Sequence, residues 1–324
     1  MHTTKTAGTV NTDAPPKPPL RAPPPGPLDR PLAEPPLMVT VFGRTIAGPT
    51  HAHDEDAFLI TNFAEGSPPI HEMVSPLALE VKERGILIGV SDGMGGVNAG
   101  EVASTVVLGS LWRGMSSVRA DSAETALRGT IEAANQDVLA VANASGLEGM
   151  GATLTALLLI GHYAYVAEIG DSRAYLVRGN SILQLTRDQS YVQQLIDAGG
   201  LSREEAEESE FSHVILQAMG LEPDVDVVLT RVAVQNRDRF LLCSDGLSGP
   251  LSDPQMLDIV VASTSLSSAC EQLIAAAVAG GGTDDITVVL AEVAGERAHT
   301  TAPSERLALA TTQPLAPMLD APVT

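Results

Sequence analysis

Acidic residues that could bind metal ions recur where apolar segments meet turns. In four places, an apolar run of strand character adjoins a turn that carries an aspartate: Asp92, Asp171, Asp245 and Asp284. An acidic run, 54–56, stands directly before a fifth apolar segment, and its last member is Asp56. Each one alone is explained by the frequency of Asp and Gly in turns. Their joint occurrence predicts a shared site.

The ligand type determines the chemistry of such a site. If the strand ends meet at one edge of the sheets, the carboxylates repel one another unless cations neutralise them. Hard oxygen ligands without His or Cys favour Mg²⁺ or Mn²⁺ over zinc. Two such ions that share a carboxylate lower the pKa of a bridging water and hold a phosphoryl group for in-line attack. Gly93, next to Asp92, would let a backbone carbonyl approach an ion.

Other catalytic chemistries fit the sequence less well. The glycine-rich stretch 89–104 resembles a phosphate-binding loop, but the dinucleotide pattern G-x-G-x-x-G places Asn98 in its last position. A cysteine-dependent phosphatase needs the pattern C-x5-R, with an arginine to bind phosphate, but counting from Cys243 this position is occupied by Gly249. The segment GLSGP does not match the G-x-S-x-G motif of serine hydrolases.

The elements that must position these residues come in blocks. Helix pairs are predicted at about 99–115 with 122–143, and between about 253 and 279. Short loops between successive strands imply antiparallel pairing. Strand blocks separated by helix pairs favour an α+β fold of antiparallel sheet packed with helices. The predicted strands are 38–46, 56–61, 85–92, 152–160, 163–169, 173–178, 181–186, 225–234, 239–245 and 285–293.

Both helices of the first pair begin with a residue that can cap the helix. Asn98 precedes the first helix and Asp121 precedes the second, each with a glutamate three residues later. The predicted buried face of the first helix carries Val102, Val106 and Trp112. The predicted buried face of the second carries Leu127, Ile131, Ala134 and Val138.

Composition divides the chain into three parts. Residues 1–37 hold half of the prolines and are predicted to form a disordered tail, either a spacer or a ligand for an aromatic groove. Residues 296–324, rich in Ala, Thr and Pro, are predicted to be a second tail. The segment 38–295 is predicted to be one domain, and its polar region from 188 to about 210 is predicted to be a solvated helical face or a mobile flap.

Charge and cysteine content limit the partners and the compartment. The chain has 40 acidic and 19 basic residues, a net charge of -21, and no basic run, which disfavours nucleic-acid binding. Cys243 and Cys270 form no disulfide framework and no metal motif, so a reducing compartment is expected. No signal-like apolar segment begins the chain, and the most apolar stretch, 151–170, is interrupted by polar residues. We expect a cytoplasmic monomer without a membrane partner.

Six motifs together resemble one family, the PP2C-type metal-dependent serine/threonine protein phosphatases, especially the compact bacterial members. Their order and approximate spacing match: DEDAF, VSDGMGGVNAGEVAS, GATLTALLL, AEIGDSRAYLVR, FLLCSDGL and GGTDDITVV. The resemblance covers nearly all of 38–295. It implies a β-sandwich of two antiparallel sheets flanked by helix pairs. It also implies hydrolysis of phosphoserine and phosphothreonine in proteins phosphorylated by Ser/Thr kinases, through a water activated by Mg²⁺ or Mn²⁺.

The resemblance also implies roles for individual residues. Asp92 would bridge two metal ions, and the Gly93 carbonyl would be a further ligand. Asp245 and Asp284 match two further metal ligands. Asp56 matches the carboxylate that holds metal-bound water, and Asp171 matches a ligand of a third, weaker ion. The flap, 188–220, would lie beside the active site.

Several positions depart from the family pattern. His51 stands where the family has a phosphate-binding arginine, and histidine titrates near pH 6.5 whereas arginine stays charged. Asp54 and Asp285 each replace an asparagine, and Leu216 and Gln217 replace a threonine and an arginine of the flap. These departures leave an alternative open, a catalytically weak or inactive module of the same fold that binds a phosphoprotein or another partner.

Overall fold

The computed structural model describes residues 37–295 except 50, 52, 65, 67, 96–98, 118–121, 203–204, 207–208 and 212. The two predicted tails therefore lie outside the described residues, apart from Leu37. That residue is buried in the core, and its carbonyl accepts a hydrogen bond from the backbone N–H of Val81 at 2.8 Å. Leu37 therefore packs with the predicted domain, and the bounds of that domain remain a prediction.

Twelve strands and six helices are considered below. The strands are β1 Met38–Ile46, β2 Asp56–Asn62, β3 Leu77–Glu80, β4 Ile86–Met94, β5 Gly151–Ala152, β6 Leu154–Ile160, β7 Tyr163–Ile169, β8 Arg173–Arg178, β9 Ser181–Gln184, β10 Val228–Ala233, β11 Arg239–Cys243 and β12 Ile286–Ala294. The helices are α1 Ala99–Ser117, α2 Ala123–Ser145, α3 Tyr191–Asp197, α4 Asp245–Ser248, α5 Asp253–Ala262 and α6 Leu266–Ala279. None of these helices has the length and apolar character that crossing a bilayer requires.

The strands form two antiparallel sheets. The first has the order β3-β1-β12-β11-β8-β9, and the second has the order β10-β7-β6-β4-β2, with β5 paired to β4. Every strand pair between described residues is antiparallel. The predicted α+β class with antiparallel sheets is confirmed. Strand β3 was not predicted, because its four residues, LALE, carry too little strand signal.

Side chains that alternate between the two faces of each strand produce a sandwich of four layers, in which two sheets lie between two layers of helices. In β4, Ile86 and Ile88 belong to the cluster between the two sheets, whereas Leu87 belongs to the cluster beneath α1 and α2. Neighbouring side chains point to opposite faces of a strand, so one strand supplies both layers. A third cluster joins the other face of the first sheet to α5 and α6 through residues such as Leu241 and Leu273.

The first helix pair differs from the prediction in two details. Ser122 is the N-cap of α2, since its hydroxyl accepts a hydrogen bond from the N–H of Thr125, whereas Asp121 and Asn98 lie outside the described residues. The buried face of α1 carries Ala103, Val107 and Leu111, while Val102 is exposed. Val106 and Trp112 are only partly buried, so the predicted face lies beside the most buried one. The predicted buried face of α2 is confirmed.

Candidate metal centre

Two of the predicted acidic residues come from the second sheet. Asp56, at the start of β2, lies opposite Asp92, near the end of β4, in the antiparallel register. The end of β4 is held by Thr153, whose hydroxyl accepts a hydrogen bond from the N–H of Asp92 at 2.9 Å. The carbonyl of Asp92 accepts a second one from the N–H of Thr153 at 2.8 Å. These bonds fix the backbone at the point where the two carboxylates meet.

The other three acidic residues lie next to strands β8, β11 and β12 of the first sheet. Asp171 lies between β7 and the start of β8, Asp245 opens α4 directly after β11, and Asp284 precedes β12. Because β11 pairs with β8 and β12 in antiparallel register, the end of β11 lies beside the starts of both neighbours. Antiparallel pairing therefore gathers these residues at one edge of the first sheet.

The edges of the two sheets meet at this point. The hydroxyl of Ser244, in the β11–α4 connection, donates a hydrogen bond to Oδ2 of Asp56 at 2.6 Å. The same hydroxyl oxygen accepts one from the backbone N–H of Thr287 in β12 at 2.9 Å. Ser244 thus links a carboxylate of the second sheet to a strand of the first.

Several carboxylate oxygens at this edge are buried without a hydrogen-bond partner. Among the described residues these include Oδ1 of Asp56, Asp171 and Asp245. A buried acceptor without a donor is costly, and a buried negative charge costs more unless a cation compensates it. Three such oxygens from three chain segments fit divalent cations with hard oxygen ligands.

The electrostatics of the cluster agree with this fit. Desolvation raises the pKa of Asp92 well above its ordinary value, and the negative charges of Asp56, Asp245, Asp171 and Asp284 raise it further. Burial and then Asp284 raise the pKa of Asp245 to about 6, although a hydrogen bond with Asp92 opposes the change. Without a cation, the cluster favours protonation of groups that are ordinarily ionised at neutral pH.

Gly93 stands where no side chain fits. A Cβ atom at this position would lie 2.0 Å from the carbonyl oxygen of Gly100 in α1 and 2.7 Å from that of Glu55. The N–H of Gly93 donates a hydrogen bond to the same Glu55 carbonyl at 3.2 Å. Glycine is required here by the close approach of two other backbone segments, and the predicted role of its carbonyl remains a prediction.

His51 lies beside the last acidic pair of the sequence. Its Nδ1 is 3.0 Å from Oδ1 of Asp285 and 3.7 Å from Oδ1 of Asp284. Asp284 is 52% exposed, whereas Asp285 is only 3% exposed. Desolvation, the largest single effect, lowers the pKa of His51, but the charge and hydrogen bond of Asp285 together with the charges of Asp284 and Glu55 raise the pKa above its ordinary value. Ligand atoms of these three residues lie within 4.8 Å of one another.

Asp285 is the residue at this site that the sequence analysis passed over as a mere departure. Its carboxylate accepts hydrogen bonds from the backbone N–H groups of Gly48 at 2.8 Å and Glu55 at 2.6 Å, besides its contact with His51. Its position directly after Asp284 was the available signal, but nothing in the sequence distinguished its burial from the exposure of its neighbour.

The flap residues divide into an anchored and an exposed part. The side chain of Gln217 donates hydrogen bonds to Oε1 of Gln189 at 2.8 Å and to the carbonyl of Asp226 at 3.1 Å. Oε1 of Gln189 in turn accepts one from the N–H of Gly170 at 2.8 Å. Leu216 is exposed. Gln217 is therefore a structural anchor within the predicted flap.

A cavity of about 720 Å³ adjoins the acidic cluster. Asp171, Asp245 and Asp284 line one part, and the flap residues Ile196 and His213 line another. Arg173 also lines this cavity, where Asp188 binds its guanidinium, with Nη2 to Oδ2 at 2.6 Å. The positive charge of Arg173 is thus already compensated by a carboxylate of the chain.

Comparisons with known proteins agree on one family. A family model described as Protein phosphatase 2C matches residues 77–279. The serine/threonine phosphatase stp of Listeria welshimeri is 37% identical over 218 residues, which are 66% of this chain and 86% of that protein. The serine/threonine protein phosphatase PstP of Mycobacterium tuberculosis is 39% identical over 208 residues, which are 64% of this chain but 40% of that protein.

A solved structure extends the similarity to the fold. The catalytic domain of the serine/threonine protein phosphatase PstP, solved in complex with two manganese ions, aligns with a TM-score of 0.66 and 33% identity. The alignment covers 80% of this chain and 99% of that one. The predicted sandwich of two antiparallel sheets with helix pairs is therefore confirmed by a relative with the same architecture.

Proposed function

The chain belongs to the protein phosphatase 2C family, and we propose that it hydrolyses phosphoserine and phosphothreonine in proteins with the help of Mg²⁺ or Mn²⁺. The observation that carries the proposal is the set of buried, unpartnered oxygens on Asp56, Asp171 and Asp245 at one edge of the sandwich. Their cost in the folded protein is offset if divalent cations bind there.

The residues that hold the ions are assigned by position. We propose that Asp92 would hold both ions, that the Gly93 carbonyl, Asp245 and Asp284 would be further ligands, and that Asp171 would help bind a third, weaker ion. Two bound cations supply the Lewis acidity that activates a water molecule and neutralises phosphate charge. The two manganese ions of the PstP structure support this ligand chemistry.

Asp56 is assigned the task of orienting the attacking water. Ser244 binds Oδ2 of Asp56, which fixes the carboxylate and leaves Oδ1 without a partner in the described residues. A fixed carboxylate with one free oxygen can accept a hydrogen bond from a water molecule and hold it in line with a phosphorus atom. No covalent phosphoenzyme is needed in this scheme.

His51 is assigned to the substrate phosphate. It lies at the rim of the acidic cluster, with a side chain 38% exposed and one ring nitrogen next to Asp285. This position leaves the imidazole accessible to a phosphoprotein that enters from solvent. A histidine in this place is a shorter and less permanent cation than arginine, so weaker phosphate binding than in an arginine-bearing relative is expected.

The catalytic function is preferred over the non-catalytic alternative. The relatives that the chain matches are named as phosphatases, and all the predicted acidic residues lie in one connected region of the structure. We further propose that the catalytic unit, residues 38–295 with Leu37, acts as a monomer in the cytoplasm. Its partners would be phosphorylated proteins in kinase signalling rather than nucleic acids or membranes.

The test is hydrolysis of a phosphothreonine peptide and of p-nitrophenyl phosphate by the purified chain. Phosphate release is expected with Mn²⁺ and is expected to disappear with EDTA. Asp92→Ala should remove the activity, whereas Asp137→Ala, which changes an exposed aspartate of α2, should leave it intact. Failure of the wild type on both substrates in Mn²⁺ would reject the proposed function.

A further inference from the structure

Asp285 makes three contacts with the connection between β1 and β2. Its Oδ1 accepts hydrogen bonds from the N–H of Gly48 and lies 3.0 Å from Nδ1 of His51, and its Oδ2 accepts one from the N–H of Glu55. The carboxylate is almost fully buried, with 3% exposure. A buried carboxylate that accepts several hydrogen bonds is a rigid anchor, because charge-assisted bonds are the strong ones.

The anchored connection is packed tightly against the start of β12. A Cβ atom at Gly48 would lie 2.5 Å from the carbonyl oxygens of Thr283 and Asp284, so backbone meets backbone here. The carbonyl of Glu55, in turn, accepts the hydrogen bond from Gly93. Asp285 is therefore connected through the backbone of Glu55 to the backbone of Gly93, a proposed metal ligand, and it fixes His51 relative to that segment.

We infer that Asp285 is the positioning residue that holds the His51 imidazole toward the substrate phosphate, so that the two residues act as a pair. The inference rests on the proposed function. Two of the departures from the family pattern, which looked independent in the sequence, are in direct contact in the structure. An arginine presents several donors on a long side chain, whereas an imidazole has two nitrogens and needs one of them oriented by a neighbour.

An asparagine at position 285 would not support His51 in the same way. Its carbonyl oxygen can still accept a hydrogen bond, but its NH₂ group would face one of the three donors that now converge on the carboxylate. Either the N–H of Glu55 loses its acceptor or Gly48 and His51 lose theirs. The histidine and the aspartate are thus matched to each other.

The experiment is a double-mutant cycle with His51→Ala, Asp285→Asn and the double variant, assayed on a phosphothreonine peptide with saturating Mn²⁺. Loss of a hydrogen bond of about 1–2 kcal/mol corresponds to a rise in KM of about 5- to 30-fold. We expect this rise in each single variant, with kcat nearly unchanged, and no further rise in the double variant. His51→Arg combined with Asp285→Asn should restore a low KM.

The matched control is Asp238→Asn. Asp238 is also a buried carboxylate that accepts hydrogen bonds from a backbone N–H and a cationic side chain, but it belongs to the turn before β11. This variant should lower Tm and leave KM unchanged. KM increases that multiply in the double variant would overturn the inference, as would a lower Mn²⁺ affinity of Asp285→Asn with an unchanged KM. Inactivity of the wild type would instead count against the proposed function.

NMR of the metal-free protein provides a readout that does not depend on activity. The Nδ1 resonance of His51 should shift in Asp285→Asn and stay in place in Asp238→Asn. If Asp285→Asn does not fold, the wild type decides the question. An Nδ1–H of His51 protected from exchange with water supports the pairing, and one that exchanges freely overturns it.

Discussion

Strand β11 has an aspartate beyond each of its ends, one fully buried and one half-buried, and the two carboxylates differ in how the chain compensates their charge. Asp238, before the strand, is fully buried, and its two oxygens accept hydrogen bonds from Nε and Nη2 of Arg178, both at 2.7 Å. Asp245, after the strand, has an oxygen without a partner among the described residues. One end of the same strand is neutralised by the chain, and the other is not.

The difference shows where an external cation is needed. A buried carboxylate costs several kcal/mol unless a positive charge and hydrogen bonds compensate it. Arg173, whose charge lowers the pKa of Asp245, is itself bound by Asp188. The Asp238 end of β11, whose charge is compensated by Arg178, contributes to stability. The Asp245 end, whose charge is not compensated in this way, is where a catalytic metal ion can bind.

The largest effect is expected from Asp245→Asn. Loss of a metal ligand should reduce kcat by more than about a hundredfold, because removal of groups that only support ligands already costs 10- to 100-fold. In EDTA at pH 7.5, the same change should stabilise the fold by up to about 3 kcal/mol, since each unit of a raised pKa corresponds to about 1.4 kcal/mol. Peptide assays and urea unfolding measure the two effects. Lower activity together with lower metal-free stability would contradict the comparison.

An effect of the opposite kind, on stability and not on activity, is expected from Arg178→Met. The change leaves Asp238 buried without its cation, which typically costs about 3–5 kcal/mol of unfolding free energy. The kcat of the folded enzyme should not change, because this end of β11 is remote from the proposed metal ligands. Arg113→Met is the matched control, since Arg113 and Asp137 form an exposed pair with N to O at 3.9 Å whose expected contribution is below about 1 kcal/mol. Equal losses in the two variants would show that Arg178 does not compensate a buried charge.

A further effect, on the pH dependence of stability, concerns Glu168, a buried residue of β7 whose carboxylate accepts a hydrogen bond from the N–H of Arg187. Burial, with a smaller contribution from the charge of Asp188 and against the opposing contacts with Arg187, raises its pKa to about 8. The folded state therefore holds a proton that the unfolded state releases above about pH 4.5, so stability falls as pH rises toward 8. Glu168→Gln keeps an acceptor and should flatten this dependence by at most about 1.4 kcal/mol per pH unit. Urea unfolding of both proteins between pH 5 and 8 checks the difference, and parallel curves would contradict the assignment.

The elements that hold the site were predictable because apolar runs and turn residues mark the ends of strands. Strand β1 has the predicted bounds, and Asp92 and Asp245 lie next to strand ends as expected. What the sequence could not specify depends on packing between segments distant in the chain. The buried face of α1 is determined by which of its residues meet the sheet, and the burial of Asp285 depends on three donors from 230 or more positions away.

The flap illustrates the same limit. Replacement of arginine by Gln217 suggested weaker substrate binding, whereas the side chain is bound to Gln189 and to the backbone of Asp226. Its role depends on a hydrogen-bond network that joins three loops. A residue type alone carries no information about such a network.

The most direct test of the account is anomalous diffraction at the manganese edge from crystals of the wild type grown with Mn²⁺. Two strong peaks should lie at the edge of the sandwich beyond the end of β11, with a carboxylate oxygen of Asp92 bonded to both ions and Asp245 bonded to one. The Arg178–Asp238 end should show no peak. Ions bound elsewhere, or a pair of ions without Asp92 among their ligands, would contradict the claim that this edge is the metal centre.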